Sequence, residues 1–206
     1  MSKKFKIVLI GSSGVGKTSV VMRLIRDKFY VYNDATIGSS FFCLKKMCDN
    51  NLIEFQIWDT AGQERYRSLL NMYLRGCNAV IIVYNVSDTN YEEINYWFKY
   101  ARDYFNNFEE KPNVYLLGNK VDLLDENINM EQIKEKIIEK IKVKMPIEKH
   151  EFVSAKTGLN IQEIFLYLTD KLSREIKKDA DDKNSTIDIS EDNMRINNAY
   201  YCCGYL

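Results

Sequence analysis

Residues 7–18 decide the fold, and their sequence is IVLIGSSGVGKT. Four aliphatic residues end at a glycine, and a helical pattern begins at residue 17. Between the two, residues 11–18 match the pattern G-x-x-x-x-G-K-[ST]. The backbone N–H groups of such a loop surround phosphates, and the N-terminus of the following helix adds a favourable partial charge. This stretch therefore predicts a strand, a phosphate-binding loop and a helix.

The rest of the chain alternates between strand and helix patterns. Apolar runs typical of strands occur at residues 53–58, 79–84, 114–118 and 152–153. Apolar residues at helical spacing occur at 91–108, 133–141 and 161–172. Near-continuous apolar strands belong to parallel sheets covered by helices on both faces. We therefore expect an α/β protein with an open, mostly parallel sheet, whose ligand lies at the carboxyl ends of the strands.

Composition excludes several functional classes. The chain has 206 residues, of which 29 are basic and 29 acidic, so its formal net charge is zero. Without an excess of cations, a nucleic-acid-binding domain is not expected. The 46% of apolar residues can form a substantial core. No apolar window approaches 18 residues and no signal peptide is recognisable, so we expect a cytosolic protein with reduced thiols.

Two side chains of the glycine-rich loop can bind a nucleotide directly. Lys17 can reach the β- and γ-phosphates, and the Thr18 hydroxyl can coordinate Mg²⁺. The loop alone predicts only a nucleoside triphosphate, because ATPases, kinases and GTPases share it.

The segment that follows the strand at 114–118 indicates guanine as the base. The carboxylate of Asp122 can accept two hydrogen bonds, from N1–H and from the 2-amino group of guanine. Adenine has an acceptor at N1 and no 2-amino group, so this carboxylate would stay unpaired. Lys120 can lay its aliphatic stem over the base, and Asn119 can tie the neighbouring loops together.

A second segment, Ser154, Ala155 and Lys156, follows the strand at 152–153. The Ala155 N–H can donate to the guanine carbonyl group, which adenine lacks. Lys156, like Lys120, can lay its aliphatic stem over the plane of the base. The two segments together predict a guanine nucleotide.

In order and spacing, these motifs resemble the five guanine-nucleotide motifs of the Ras superfamily of small GTPases. The resemblance covers roughly residues 5–176. It implies a phosphate-loop G domain over residues 1–176, with a six-stranded, mostly parallel sheet and helices on both faces. The GTP-binding residues that it implies are Ser13, Gly14, Val15, Gly16, Lys17, Thr18, Ser19, Phe29, Thr36, Gly62, Asn119, Lys120, Asp122, Ser154, Ala155 and Lys156.

The resemblance also implies the hydrolytic machinery and its Mg²⁺ cofactor. Asp59 would hold Mg²⁺ through water, and Thr36 would add a hydroxyl when the γ-phosphate is present. Gly62 would donate its N–H to that phosphate, and Gln63 would orient the attacking water. Phe29 would pack on the guanine edge. No arginine finger is evident in the chain, so we expect slow hydrolysis that an activating protein accelerates.

Within the superfamily, the chain resembles the Rab family. The segments that carry the resemblance are residues 37–42, 57–66 and 73–77. Residues 39–40 and 67–73 are most similar to the early-endosomal subgroup. Ile37 and Gly38 belong to the first switch segment. An aromatic triad, formed by Phe41, Trp58 and Tyr73, matches the surface through which Rabs present their nucleotide state to effectors.

Residues 177–206 are expected to form a flexible acidic tail. Residues 179–201 hold six acidic and two basic side chains, and Cys202 and Cys203 follow. These cysteines resemble a Rab double-cysteine terminus, where an isoprenoid is attached. One lipid gives only marginal membrane binding, and an acidic tail is repelled by anionic lipids. We therefore expect both cysteines to be modified. An isoprenoid on Cys203 with an acyl group on Cys202 is the alternative.

Together these features predict a monomeric, membrane-anchored GTPase switch in endosomal vesicle traffic. Its expected partners are GTP and GDP, an exchange factor, a GTPase-activating protein, a GDP-dissociation inhibitor or escort protein, and effectors. It is expected on the cytoplasmic face of an intracellular membrane, with a cytosolic pool. The alternative hypothesis is a guanine-binding scaffold that is locked on its nucleotide and does not turn over.

Overall fold

The computed structural model describes residues 3–32, 34–48, 51–109, 111–125, 127–142, 145–181 and 200–204. Its strands are β1 (Lys3–Ile10), β2 (Ser39–Cys48), β3 (Asn51–Thr60), β4 (Ala79–Asn85), β5 (Asn113–Asn119), β6 (Lys149–Phe152) and β7 (Tyr200–Gly204). Its α-helices are α1 (Lys17–Arg26), α2 (Arg67–Leu74), α3 (Tyr91–Phe105), α4 (Met130–Lys140) and α5 (Ile161–Asp181). Single 3₁₀ turns occupy Glu64–Tyr66 and Val121–Leu123.

The strands form one sheet in the order β6-β5-β4-β1-β3-β2-β7. Strands β1, β3, β4, β5 and β6 are parallel, and β2 pairs antiparallel with β3. The expected α/β fold with a six-stranded, mostly parallel sheet is therefore confirmed by β1 to β6. The short strand β7 adds a seventh, antiparallel to β2.

Side-chain alternation along the sheet divides the core into two layers. In β1, Ile7 and Leu9 face the layer that contains α1 and α5, whereas Val8 and Ile10 face the layer of α2, α3 and α4. All four side chains are fully buried. Burial on both faces explains why residues 7–10 of this strand show no polar alternation in the sequence.

Two described segments, the end of α5 and β7, lie in the C-terminal region that was expected to form the tail. Helix α5 continues to Asp181, past the expected domain boundary at residue 176. Cys202 and Cys203 belong to β7, where their backbones lie opposite Cys43 and Phe42 of β2. Residues 182–199 and 205–206 lie outside the described residues, so the flexible acidic tail stays a prediction. Within the described part of the chain, no helix is both long and apolar enough to span a membrane.

The parallel strands bring distant loops to one edge of the sheet. The loop after β1 leads into α1, and the segments that follow β3, β5 and β6 start at the same edge. The phosphate-loop and base-binding motifs lie on these loops or at the ends of the elements that the loops join. Phe29, Thr36 and Ile37 lie between α1 and β2, and Tyr73 lies in α2. The topology therefore assembles one site from five separate stretches of the chain.

Candidate nucleotide-binding site

A cavity of about 590 Å³ lies at this edge of the sheet. Its volume is in the range of small-molecule sites. Fifteen of the residues implicated by the sequence line it: Ser13, Gly14, Gly16, Lys17, Thr18, Ser19, Phe29, Thr36, Gly62, Gln63, Asn119, Lys120, Asp122, Ala155 and Lys156. The structure thus brings together residues from all the segments that were predicted to meet.

Three of the predicted residues support the cavity from behind rather than line it. Val15, Asp59 and Ser154 are buried, and each contacts a residue that does line the cavity. Five residues that the sequence motifs did not indicate also line it: Tyr30, Val31, Asp34, Ala35 and Leu123. Four of these come from the irregular segment between α1 and β2, which has no periodic pattern that would have marked it.

The phosphate loop owes its shape to Gly16 and to Asn119 at the end of β5. Gly16 has a φ of 93°, a conformation that disfavours side chains, and an added Cβ would collide with Asn119 Nδ2. The same amide group donates to the Val15 carbonyl oxygen at 2.9 Å. Asn119 therefore fastens the phosphate loop to the end of β5.

Lys17 is held at the centre of the phosphate end. Its Nζ donates to the carbonyl oxygens of Gly11 at 2.8 Å and Ser12 at 2.9 Å, and the residue is only 5% exposed. Burial lowers the pKa of Lys17 to about 8, and the nearby Asp59 carboxylate opposes that shift. A Cβ added to Gly62 would lie 2.5 Å from the backbone carbonyl carbon and oxygen of Ser12 as well as 2.5 Å from this Nζ. Because the backbone of the phosphate loop cannot move as a lysine can, this position requires glycine.

Two hydroxyl groups and one carboxylate form a compact oxygen cluster beside the lysine. Thr18 Oγ1 donates to Asp59 Oδ2 at 2.6 Å and lies 2.9 Å from Thr36 Oγ1. Burial raises the pKa of Asp59 to about 6, although Thr18 and Lys17 oppose the shift. Its other oxygen, Oδ1, is buried without a hydrogen-bond partner among the described residues. Hard oxygen ligands and an unsatisfied carboxylate oxygen fit Mg²⁺.

At the opposite end of the cavity, Asp122 is fixed by its neighbours. Ser154 Oγ donates to Asp122 Oδ1 at 2.5 Å, and Lys156 Nζ lies 3.9 Å from Oδ2. Ser154 is fully buried and also accepts from the Thr157 N–H at 3.0 Å. The carboxylate is therefore oriented while one edge remains directed to the cavity that it lines.

The Ala155 N–H has a partner that the sequence did not suggest. It donates to Asn119 Oδ1 at 3.1 Å. This bond joins the loop after β6 to the end of β5. A guanine carbonyl group would share this donor in a three-centre bond or replace the asparagine oxygen.

The two switch segments contact each other above the cavity. The Ala61 N–H donates to the Gly38 carbonyl oxygen at 2.9 Å, next to the Thr36–Thr18 contact. Gln63 lines the cavity, and its Oε1 accepts from Arg65 Nε at 2.6 Å. In this conformation the amide oxygen of Gln63 is therefore occupied by a neighbouring guanidinium group.

The aromatic triad connects the switch segments on the outer face of the sheet. Phe41 contacts Trp58 edge-on with ring centroids 5.1 Å apart, and Trp58 contacts Tyr73 at 5.6 Å. Phe41 and Trp58 are half-buried, whereas Ile37 beside them is 79% exposed. The three rings therefore bridge β2, β3 and α2 where both switch segments meet.

One residue of the phosphate loop has a partner that sequence reasoning missed. The Trp97 indole Nε1 donates to Ser12 Oγ at 3.0 Å. Helical spacing correctly predicted Trp97 as a core residue of α3, but it gave no sign of this bond across 85 residues. A buried tryptophan N–H needs an acceptor, and that need is the only signal that could have indicated it.

The geometry defines a phosphate-loop nucleotide-binding protein of the α/β class. The model of the Ras family matches residues 6–174 of the chain. The chain therefore belongs to the Ras family of small GTPases, which bind GTP, hydrolyse it and act as switches. Family members generally use Mg²⁺, and the oxygen cluster of Thr18, Thr36 and Asp59 is suited to it.

Proposed function

We propose that this GTPase is a membrane-anchored switch of the Rab type that acts in endosomal vesicle traffic. The observation that carries the proposal is the Phe41–Trp58–Tyr73 triad, whose rings contact one another across β2, β3 and α2 close in sequence to the bond between Ala61 and Gly38 of the switch segments. A change of nucleotide at the cavity would be transmitted to this surface, where effectors bind. The Rab-like sequence of residues 37–42 and 57–66 supports the same assignment.

Nucleotide binding is divided between the two ends of the cavity. At the phosphate end, Lys17 and the N–H groups of the phosphate loop, with Ser19 and Gly62, bind the phosphates. At the base end, Asp122 accepts from guanine N1–H and its 2-amino group. Lys120 and Lys156 cover the base faces, and Phe29 packs at its edge.

Thr18 and Thr36 would hold Mg²⁺ directly, and Asp59 would hold it through water. The ion supplies charge neutralisation to the β- and γ-phosphates when it is bound. The position of Thr36 in the chain explains how hydrolysis would change the switch segments. Thr36 lies on the first switch segment, so loss of the γ-phosphate would release Thr36 together with Gly38 and Gly62.

Gln63 is the catalytic residue in this proposal, since it lines the cavity and would orient the attacking water. Its Oε1 is bonded to Arg65, which must release it before it can act. This bond supports slow intrinsic hydrolysis. An activating protein would accelerate the reaction by freeing Gln63 and supplying positive charge.

Membrane attachment would come from Cys202 and Cys203. The acidic residues at 179–201 give no electrostatic attraction to anionic lipids, so two lipids would be needed for stable anchoring. An exchange factor, a GDP-dissociation inhibitor or escort protein, and effectors would complete the cycle between endosomal membrane and cytosol.

The alternative is a guanine-binding scaffold that does not turn over. The Arg65–Gln63 bond favours it, because a glutamine that stays engaged cannot position water. The placement of Thr36 and Asp59 around Thr18 counts against it, since a locked scaffold has no need of a γ-phosphate sensor.

Hydrogen exchange on the chain loaded with GDP or with a non-hydrolysable GTP analogue tests the switch. We expect slower exchange at residues 36–42 and 61–73 in the triphosphate state. Thr36→Ala should abolish the difference without removing nucleotide, and Thr89→Ala, outside both switches, should retain it. Identical exchange in the two states of the wild-type protein would favour the locked scaffold.

Mass spectrometry of the lipidated chain tests the Rab-type anchor. With an escort protein and a double-cysteine prenyltransferase, we expect two isoprenoid groups on the wild type and one on Cys202→Ser. The single-lipid variant should then dissociate from vesicles that retain the wild type. Equal retention would contradict the two-lipid argument, and transfer only by an enzyme that needs no escort would contradict the Rab assignment.

A further inference from the structure

Arg23 joins the helix of the phosphate loop to the base end of the cavity. It lies in the C-terminal half of α1, six residues after Lys17. Its Nε donates to the Ala155 carbonyl oxygen at 2.9 Å, and its Nη2 donates to the Lys156 carbonyl oxygen at 2.6 Å. One guanidinium group thus binds two successive carbonyl groups of a loop more than 130 residues away.

The guanidinium group of Arg23 is itself held in place by Asp27. Arg23 Nη1 donates to the backbone oxygen of Asp27 at 3.0 Å and to its Oδ1 at 2.9 Å. The Arg23 side chain is only 15% exposed, and Gly158 of the same loop passes over its stem. A planar guanidinium group with this many bonds is a rigid support, unlike a lysine ammonium group.

Ala155 and Lys156 line the cavity, whereas Arg23 is not among the residues that line it. A carbonyl group that faces Arg23 cannot also face the base. If either carbonyl turned toward the cavity, its oxygen would meet the 6-oxo group of guanine, and two acceptors would repel each other. Arg23 therefore keeps acceptors away from the base edge where the Ala155 N–H must act as a donor.

We propose that Arg23 is a positioning residue for guanine recognition, which selects for a 6-oxo purine by fixing the Ala155 and Lys156 carbonyl groups outward. This role rests on the proposed placement of the base between Asp122 and Ala155. It assigns base selectivity to a residue on the phosphate-loop helix that does not touch the nucleotide.

Competition against a fluorescent GDP analogue tests the proposal with three diphosphates. GDP has both the 6-oxo and the 2-amino group, and inosine diphosphate lacks the 2-amino group. The diphosphate of 2-aminopurine riboside lacks the 6-oxo group and with it the N1–H, so each variant is compared with the wild type for the same ligand. For Arg23→Met we expect GDP and inosine diphosphate to bind about tenfold more weakly, with less than about a threefold change for the 2-aminopurine nucleotide. The single-turnover rate constant at saturating GTP should not change.

Two further variants sharpen the test. Arg23→Lys retains the charge but cannot fork to both carbonyl groups, so it should show the same ligand pattern, and it decides the question if Arg23→Met does not fold. Arg102→Met removes an exposed guanidinium group on α3 that bonds to Asp103, so as the matched control it should bind like the wild type.

Equal weakening for all three diphosphates would overturn the proposal, because it would mark a general loss of structure. Unchanged binding in both Arg23 variants would overturn it as well. If the wild-type protein bound ADP as well as GDP, the proposed function itself would fail, and that result is distinct from any effect of Arg23.

Discussion

At the phosphate end of the cavity, the Lys17 ammonium group bonds to carbonyl oxygens only five and six residues earlier in the chain. At the base end, the bonds that orient Ala155 span greater separations: 36 residues to Asn119 and 132 to Arg23. The cation that meets the phosphates is therefore held within its own motif, whereas the groups that meet the base are oriented by partners from other parts of the sheet.

The difference teaches where affinity and selectivity come from. Phosphate binding uses a buried cation and backbone donors, which treat all nucleotides alike. Base binding uses a carboxylate and backbone groups that must be oriented by partners elsewhere in the fold. Variants at the phosphate end should therefore affect every nucleotide, and variants at the base end should change the preference among bases.

Lys17→Ala should have the largest effect. It removes a buried cation that the phosphates and the Asp59 carboxylate need, so we expect affinity for GDP to fall about a thousandfold. The loss should be the same for inosine diphosphate. Titration with a fluorescent GDP analogue measures it, and Lys99→Ala, an exposed position on α3, serves as control. A loss confined to one base would contradict the division into two ends.

Asp122→Asn should weaken GDP binding about a hundredfold, because a charged acceptor of two hydrogen bonds is lost. The asparagine amide can instead donate to the 2-oxo group of xanthine, so affinity for xanthosine diphosphate should rise. Competition binding with GDP and xanthosine diphosphate measures whether the variant now prefers the xanthine nucleotide. Asp125→Asn, an exposed neighbour, should leave both affinities unchanged. Equal loss for the two nucleotides would show that Asp122 does not contact the base.

Acid should destabilise the fold through His150, which packs behind the base end. Its Nε2 lies 2.8 Å from the Tyr84 hydroxyl oxygen, and burial lowers the pKa of His150 to about 4. The unfolded chain therefore binds more protons between pH 6.5 and 4. The free energy of unfolding should fall as the pH drops through that window, by about 1.4 kcal/mol per pH unit where it is steepest.

Asp59 at the phosphate end changes the free energy of unfolding in the opposite direction as the pH falls. Its pKa is raised to about 6, so protonation below pH 6 favours the folded state when no cation is bound. Denaturant unfolding of the wild type and of His150→Gln over pH 4–7.5 separates the contributions of His150 and Asp59. Both proteins contain Asp59, so its contribution cancels when their free energies of unfolding are subtracted. A difference that does not change with pH would contradict the assignment to His150.

Trp97→Phe should have the smallest effect. The ring stays buried in α3, but Ser12 loses its donor, so the GDP dissociation rate should rise about fivefold. Ser12→Ala should give a similar increase, and the double variant should be little worse than either single one. Fully additive effects would mean that the bond does not hold the phosphate loop.

The contrast between contacts within one motif and contacts between distant parts of the chain also explains how much of the structure the sequence could predict. The phosphate loop, its strand and its helix follow from local pattern, and the apolar runs correctly predicted β3, β4 and β5. Strand β2 has no such pattern, because it is antiparallel near the edge of the sheet and carries two half-buried lysines, Lys45 and Lys46, one on each face. Only the family resemblance implied a sixth strand.

The candidate site shows the same limit. The residues that meet the nucleotide directly lie in recognisable motifs, and the structure gathers fifteen of them around one cavity. The residues that hold them, Arg23 and Trp97, bond across 132 and 85 residues. A guanidinium group or an indole N–H has many acceptors available in a fold, and only the three-dimensional arrangement selects one.

The most direct test of the account measures binding of fluorescent GDP and GTP analogues with Mg²⁺, competed by GTP and ATP, followed by single-turnover hydrolysis by the wild type and Gln63→Leu. We expect competition by GTP alone and slow hydrolysis that the substitution slows further. Equal competition by ATP would contradict the base-recognition argument. Guanine-specific binding without turnover in either protein would contradict the switch and leave the locked scaffold.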